Sequence, residues 1–125
     1  MLREILWVAL GGGIGSALRY LLSTAVERLA PGAFPAGTLA VNLLGCLAIG
    51  VSWGALDRYC PGNSALRLLV ITGVCGGFTT FSTFSRENFT LLQSGRPGAA
   101  LLYTVASVLG GVCLTWGGWT LVNNR

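Results

Sequence analysis

Residues 73–85 read GVCGGFTTFSTFS. A glycine pair is followed by a threonine pair, and then phenylalanines alternate with hydroxyls without a single charge. Hydroxyl-rich segments suit solvated loops and phenylalanines suit cores, so the mixture fits neither. The flanks settle the setting, because residues 68–85 carry no charge at all. A Gly pair next to a Thr pair loosens a helix. In hydrocarbon, non-helical backbone survives only where it is buried in protein or lines a polar cavity. The stretch therefore reads as a helix interrupted inside a membrane span, followed by one face of rings and one of hydroxyls.

The rest of the chain agrees with a membrane setting. Of its 125 residues 53% are hydrophobic and 10% charged, with a mean hydropathy of +0.70; soluble domains carry about 25% charge. Uncharged runs cover residues 29–56, 68–85 and 97–124, and another covers 5–18. A spanning helix needs about 20 mainly apolar residues. Four spans are predicted, at about 4–26, 36–56, 66–92 and 99–122. A soluble helical bundle of this composition would lack polar outer faces. The length of the first segment, Arg19 within it and the three spans that follow argue against a cleaved leader. The connections 28–37, 57–65 and 93–99 are short and carry Pro and Gly breakers, so residues 1–125 form one transmembrane domain of all-α class.

All eight basic residues are arginines, and there is no histidine. Arg3, Arg58, Arg67 and Arg125 fall on the side of both termini; Arg28, Arg86 and Arg96 fall on the other. Orientation follows the imbalance of basic residues in short loops, and here there is almost none. Such a chain can insert both ways up and pair as an antiparallel, dual-topology homodimer with a two-fold axis in the membrane plane. The scattered charge offers no basic footprint for nucleic acid. Cys46, Cys60, Cys75 and Cys113 show no metal-ligand spacing and read as small apolar side chains.

Polar groups within spans are costly and mark function or packing. Arg19 either reaches the headgroups or lines an aqueous mouth that attracts anions. Asn42, the strongest polar residue of the second span, suits interhelical bonding or donation to an anion equally well. Phe81 and Phe84 share one helix face, and Ser82 and Ser85 share another. Ring edges carry positive potential, so rings beside hydroxyls can hold a small anion without a fixed charge. Tyr103 and Ser107 share a face of the fourth span and extend the hydroxyl series. The freed carbonyls at Gly76–Thr80 suit an alkali cation, water or a neighbouring hydroxyl. Glu4, Glu27, Asp57 and Glu87 all fall near predicted span ends. That placement disfavours the alternative reading, a small dual-topology multidrug transporter, which needs a membrane-buried carboxylate. An enzyme is disfavoured as well, since no nucleophile is paired with a base.

The segments GGGIGSALRY (11–20), GTLAVNLLGCLAIG (37–50) and above all GVCGGFTTFSTFS (73–85) resemble the Fluc/CrcB family of bacterial fluoride channels. The resemblance covers all four spans in order. It implies an antiparallel homodimer in the inner membrane with two pores, which conducts fluoride passively out of the cytoplasm and so lowers its toxicity. It further implies pore roles for Asn42, for Phe81 and Phe84 through their ring edges, and for the hydroxyls of Ser82, Thr83, Ser85, Tyr103 and Ser107. Arg19 matches a vestibule position. A structural sodium ion at the dimer interface is implied, held by the backbone carbonyls of Gly76 and Thr79.

Overall fold

A computed structural model describes residues 1–124; Arg125, one of the arginines counted above, lies outside the described residues. The described residues form helices and no strand. Helix α1 spans Leu2–Leu29 and α2 spans Ala36–Tyr59. The stretch Ser64–Gln93 follows, and α6 spans Pro97–Asn123. All four are long and apolar enough to cross a membrane. At 1.5 Å per residue, 28 residues give α1 roughly 42 Å, more than the ~30 Å of hydrocarbon. The ends therefore reach beyond the core, past the bounds expected from hydropathy alone.

The third stretch is not uniform. It begins with α3 (Ser64–Arg67), whose N-cap Asn63 accepts a hydrogen bond from the Leu66 amide at 3.0 Å. A π-helical segment Leu68–Cys75 and the short α4 (Gly76–Phe78) continue it. Thr79 and Thr80 then take extended dihedrals, φ −87° ψ 157° and φ −147° ψ 117°. Helix α5 resumes at Phe81–Gln93, with Thr80 as N-cap accepting from the Thr83 amide at 3.3 Å. Tight turns at Gly62 (φ 81°) and Gly95 (φ 71°) use the left-handed region open to glycine.

Packing divides the chain into two pairs: α1 lies along the π-helical segment and α4, and α2 lies along α6. Both contacts depend on small residues, as expected where lipid removes the hydrophobic drive between helices. A Cβ on Gly77 would stand 2.6 Å from the Gly12 carbonyl oxygen, and one on Gly118 2.7 Å from that of Leu47. Thr115 adds a cross-helix bond, its hydroxyl donating to the Cys46 carbonyl at 3.0 Å. At the end that holds both termini, Arg67 pairs with Asp57 and Arg58 donates to the Val122 carbonyl.

The α1 contact makes a direct prediction. Gly73→Ala would bring a methyl to 2.8 Å from the Gly11 Cα, and overpacking of this kind costs about 1–3 kcal/mol. A methyl at Gly13 meets nothing within 4 Å, so Gly13→Ala is expected to be neutral or mildly stabilising. Thermal midpoints of the two variants in detergent, followed by tryptophan fluorescence, check the contrast.

Candidate functional site

The extended pair Thr79–Thr80 lies about midway along the third span, where no bulk water can serve its peptide groups. Neighbouring side chains serve them instead. Asn42 of α2 bonds Thr80 twice: its Oδ1 accepts from the Thr80 amide at 2.9 Å, and its Nδ2 donates to the Thr80 carbonyl at 3.2 Å. The Gly77 carbonyl, whose helical donor would have been the Phe81 amide, accepts from Arg19 Nε at 3.1 Å and from Ser16 Oγ at 3.5 Å. In a continuous helix the Thr80 and Thr83 amides would serve the carbonyls of Gly76 and Thr79. Here those two N–H groups go to Asn42 Oδ1 and Thr80 Oγ1. The Gly76 and Thr79 carbonyls are thereby released from their helical donors. Gly76 is exposed, with only the Ile71 carbonyl oxygen within 4 Å of a notional Cβ.

Beside this interruption lies a cavity of about 260 Å³ lined by Asn42, Cys46, Thr79, Thr80, Phe81, Phe84, Ser107 and Val108. Four residues singled out in the sequence for an anion pore thus meet there, Asn42, Phe81, Phe84 and Ser107, together with Thr79, singled out for its carbonyl. The Phe81 and Phe84 ring centroids are 5.7 Å apart with planes tilted by 38°. Phe81 is 79% exposed, large for an aromatic ring at mid-span. Ser107 Oγ is buried without a hydrogen-bond partner in the described chain, and it also borders a larger groove of about 660 Å³ that runs between α2 and α6 toward Trp53, Trp116 and Asp57.

The remaining hydroxyls divide. Thr80 Oγ1 lies 3.1 Å from Thr83 Oγ1 and 3.4 Å from Ser82 Oγ, so both join the cavity through Thr80. Ser85 lines a different groove between α5 and α6, with Asn88, Phe89 and Thr104. Tyr103 is fully buried, with its ring 5.0 Å from Phe84 and edge-on to Phe34 at 5.7 Å. It packs with Leu91 and Ala100, and its hydroxyl donates to Glu87 Oε2 at 3.1 Å.

Glu87 lies near the end of the third span, as expected, six residues before α5 ends at Gln93, and it is half-buried there. Thr38 donates to its Oε1 at 2.7 Å while Tyr103 takes the other oxygen. Helical spacing gives no hint of this, because Thr38, Glu87 and Tyr103 come from three helices. Thr80 was read for its backbone; its side chain, as cap and hydroxyl relay, emerges only from the fold. No cluster of three or more His, Cys, Asp or Glu able to hold a metal occurs among the described residues, so any cation here would rest on backbone and hydroxyl oxygens.

The arrangement defines a class: a multi-pass helical membrane protein with a cavity of rings, hydroxyls and one amide beside the extended residues Thr79 and Thr80. The chain belongs to the CrcB family. The family model described as "CrcB-like protein, Camphor Resistance (CrcB)" matches residues 6–119. Similar proteins bear the name "Fluoride-specific ion channel FluC". One from Flavobacterium psychrophilum is 44% identical over 117 residues, 94% of each chain. One from Nitratidesulfovibrio vulgaris is 43% identical over 115 residues, 92% of this chain and 93% of the relative. One from Rhizobium leguminosarum bv. trifolii is 50% identical over 105 residues, 84% of each.

Because Thr38 and Tyr103 bond the same carboxylate, their removal is expected to be non-additive. Thr38→Val and Tyr103→Phe each leave one Glu87 oxygen unserved, at about 1–3 kcal/mol. The double variant should differ from the sum by about 0.5–3 kcal/mol, the range for residues in one network. A double-mutant cycle on thermal unfolding in detergent measures the coupling; strict additivity would show that the two hydroxyls do not act on Glu87 together.

Proposed function

We propose that this protein is a fluoride-selective channel of the bacterial inner membrane that lets cytoplasmic fluoride leave passively. The observation that carries the reading is the meeting of Asn42, Phe81, Phe84 and Ser107 in one uncharged cavity at a helix interruption, in a chain 40–50% identical to proteins named as fluoride channels. Fluoride is small and strongly hydrated, so a pore must replace its water with many donors. An amide N–H, hydroxyls and ring edges supply them without a full positive charge, which would hold the anion too tightly for it to leave. Chloride, being larger, would keep fewer of these contacts in a narrow lining. Fluoride enters cells as neutral HF and is trapped as the anion, so a passive leak for the anion is protective.

We further infer a broken third helix at Thr79–Thr80, an antiparallel homodimer and two pores. The near-equal arginine count on the two sides supports insertion both ways up. The exposed Phe81 ring supports a partner surface over the cavity. Sodium at the dimer axis is a proposal of the same kind. The released carbonyls of Gly76, which is exposed, and of Thr79 are hard oxygen donors of the sort alkali ions take, so the residues present fit the ion. Glu87 gives no support to a multidrug transporter, because both its oxygens are bonded and it does not line the cavity.

Reconstitution in liposomes tests the function. Under a potassium gradient with valinomycin, an electrode should register fluoride efflux and no comparable chloride efflux; absence of fluoride efflux would overturn the reading. Phe81→Ile removes one ring edge, worth about 0.5–1.5 kcal/mol, and is expected to slow efflux by up to about tenfold while the protein elutes unchanged in size-exclusion chromatography.

A further inference from the structure

We propose that Asn42 is the positioning residue that holds the third span open at Thr79–Thr80, so that the anion cavity and the released carbonyls are linked through one side-chain amide. Three observations lead there. First, Asn42 Oδ1 takes the Thr80 amide, the N–H that would otherwise bond the Gly76 carbonyl and continue α4 into α5. Second, Asn42 Nδ2 donates to the Thr80 carbonyl, so the side chain imitates a neighbouring peptide group at both ends of residue 80. Third, an amide nitrogen has two hydrogens; one goes to Thr80 and the other remains for the cavity that Asn42 lines.

The linkage follows from the cost of leaving a peptide N–H unpaired in hydrocarbon. Without Asn42, the Thr80 amide has one ready partner, the Gly76 carbonyl, and taking it closes the helix. The same step removes an oxygen from the proposed cation cluster and withdraws a donor from the anion cavity. Pore lining alone would give Asn42 an effect on anions only. Holding the interruption gives it an effect on cation dependence as well, and a coupling of this kind is reciprocal. The anion half rests on the fluoride-channel reading; the half that concerns the interruption stands on the hydrogen bonds.

The test uses the full-length protein purified throughout without sodium. Thermal midpoints are measured in sodium chloride and in N-methylglucamine chloride, alongside fluoride efflux from liposomes. The unaltered chain is expected to show a sodium-dependent rise in midpoint. Asn42→Ala is expected to abolish that rise together with efflux. Asn42→Asp keeps the acceptor for the Thr80 amide, the bond that holds the helix open, but loses both amide hydrogens, the one on the Thr80 carbonyl and the free one, so it should retain the sodium-dependent rise while efflux falls about tenfold or more. If the alanine variant does not assemble, Asn42→Ser, too short to bridge both Thr80 groups, reads the same quantity. An alanine or serine variant with the unaltered sodium response would overturn the proposal, as would an unaltered chain with none. A lack of fluoride efflux in the unaltered chain, with the sodium contrast intact among the variants, would instead strike the channel reading and leave the positioning role standing.

Discussion

A peptide group in the middle of a bilayer must find its hydrogen bonds within the protein, and the region around Thr80 is organised by that requirement. Continuous helix would satisfy it trivially. The chain departs from helix at Thr79 and Thr80, and side chains from two other spans take up the exposed groups: Asn42 serves both sides of residue 80, and Arg19 with Ser16 serves the Gly77 carbonyl. The departure is thus stabilised from outside the span that contains it. What it creates is a small region of oriented dipoles where hydrocarbon would otherwise be.

The close fit of α1 makes this possible. Arg19 reaches the Gly77 carbonyl because Gly11, Gly15, Gly73 and Gly77 let the two backbones come almost into contact. Its guanidinium therefore acts first as a hydrogen-bond donor to the interruption, which gives a reason for a charge placed roughly 15 Å short of the α1 C-terminus. On the other side, α2 is held against α6 by Gly50, Gly111 and Gly118, which fixes Asn42 in register with Thr80 and Ser107. Glycines that look like diffuse packing signals in the sequence are what set the positions of the polar groups.

Helix α5 separates two polar environments. One face carries Phe81 and Phe84 to the cavity, while Glu87 turns toward Thr38 and Tyr103. The rings of Phe81, Phe84, Tyr103 and Phe34 follow one another at 5.0–5.7 Å, so the cavity wall continues into the core cluster of Leu91, Ala100 and Tyr103. The Phe84 ring is thereby backed by packed side chains, whereas Phe81 stands exposed at the cavity mouth. A half-buried carboxylate with both oxygens bonded is compatible with the membrane, where an unbonded one would not be.

Much of this was legible in the sequence. Four spans follow from long, mainly apolar stretches separated by short connections with Pro and Gly breakers. The interruption follows from Gly76, Gly77, Thr79 and Thr80, whose order is poor for continuous helix, and the ring face follows from the i,i+3 spacing of Phe81 and Phe84. These are local properties, fixed by neighbours within one or two turns. Tertiary structure alone decided which hydroxyls share a cavity. Ser85 and Ser82 lie on one helical face by spacing, yet Ser85 borders another groove because α6 packs where it does. Only the fold shows that the Tyr103 ring is fully buried and that its hydroxyl donates to Glu87. The dual role of Asn42 was equally hidden, since a side-chain amide has no register of its own. Its partners are set by how deeply α2 sits against the third span, and that depth depends on close backbone contacts between residues far apart in the chain.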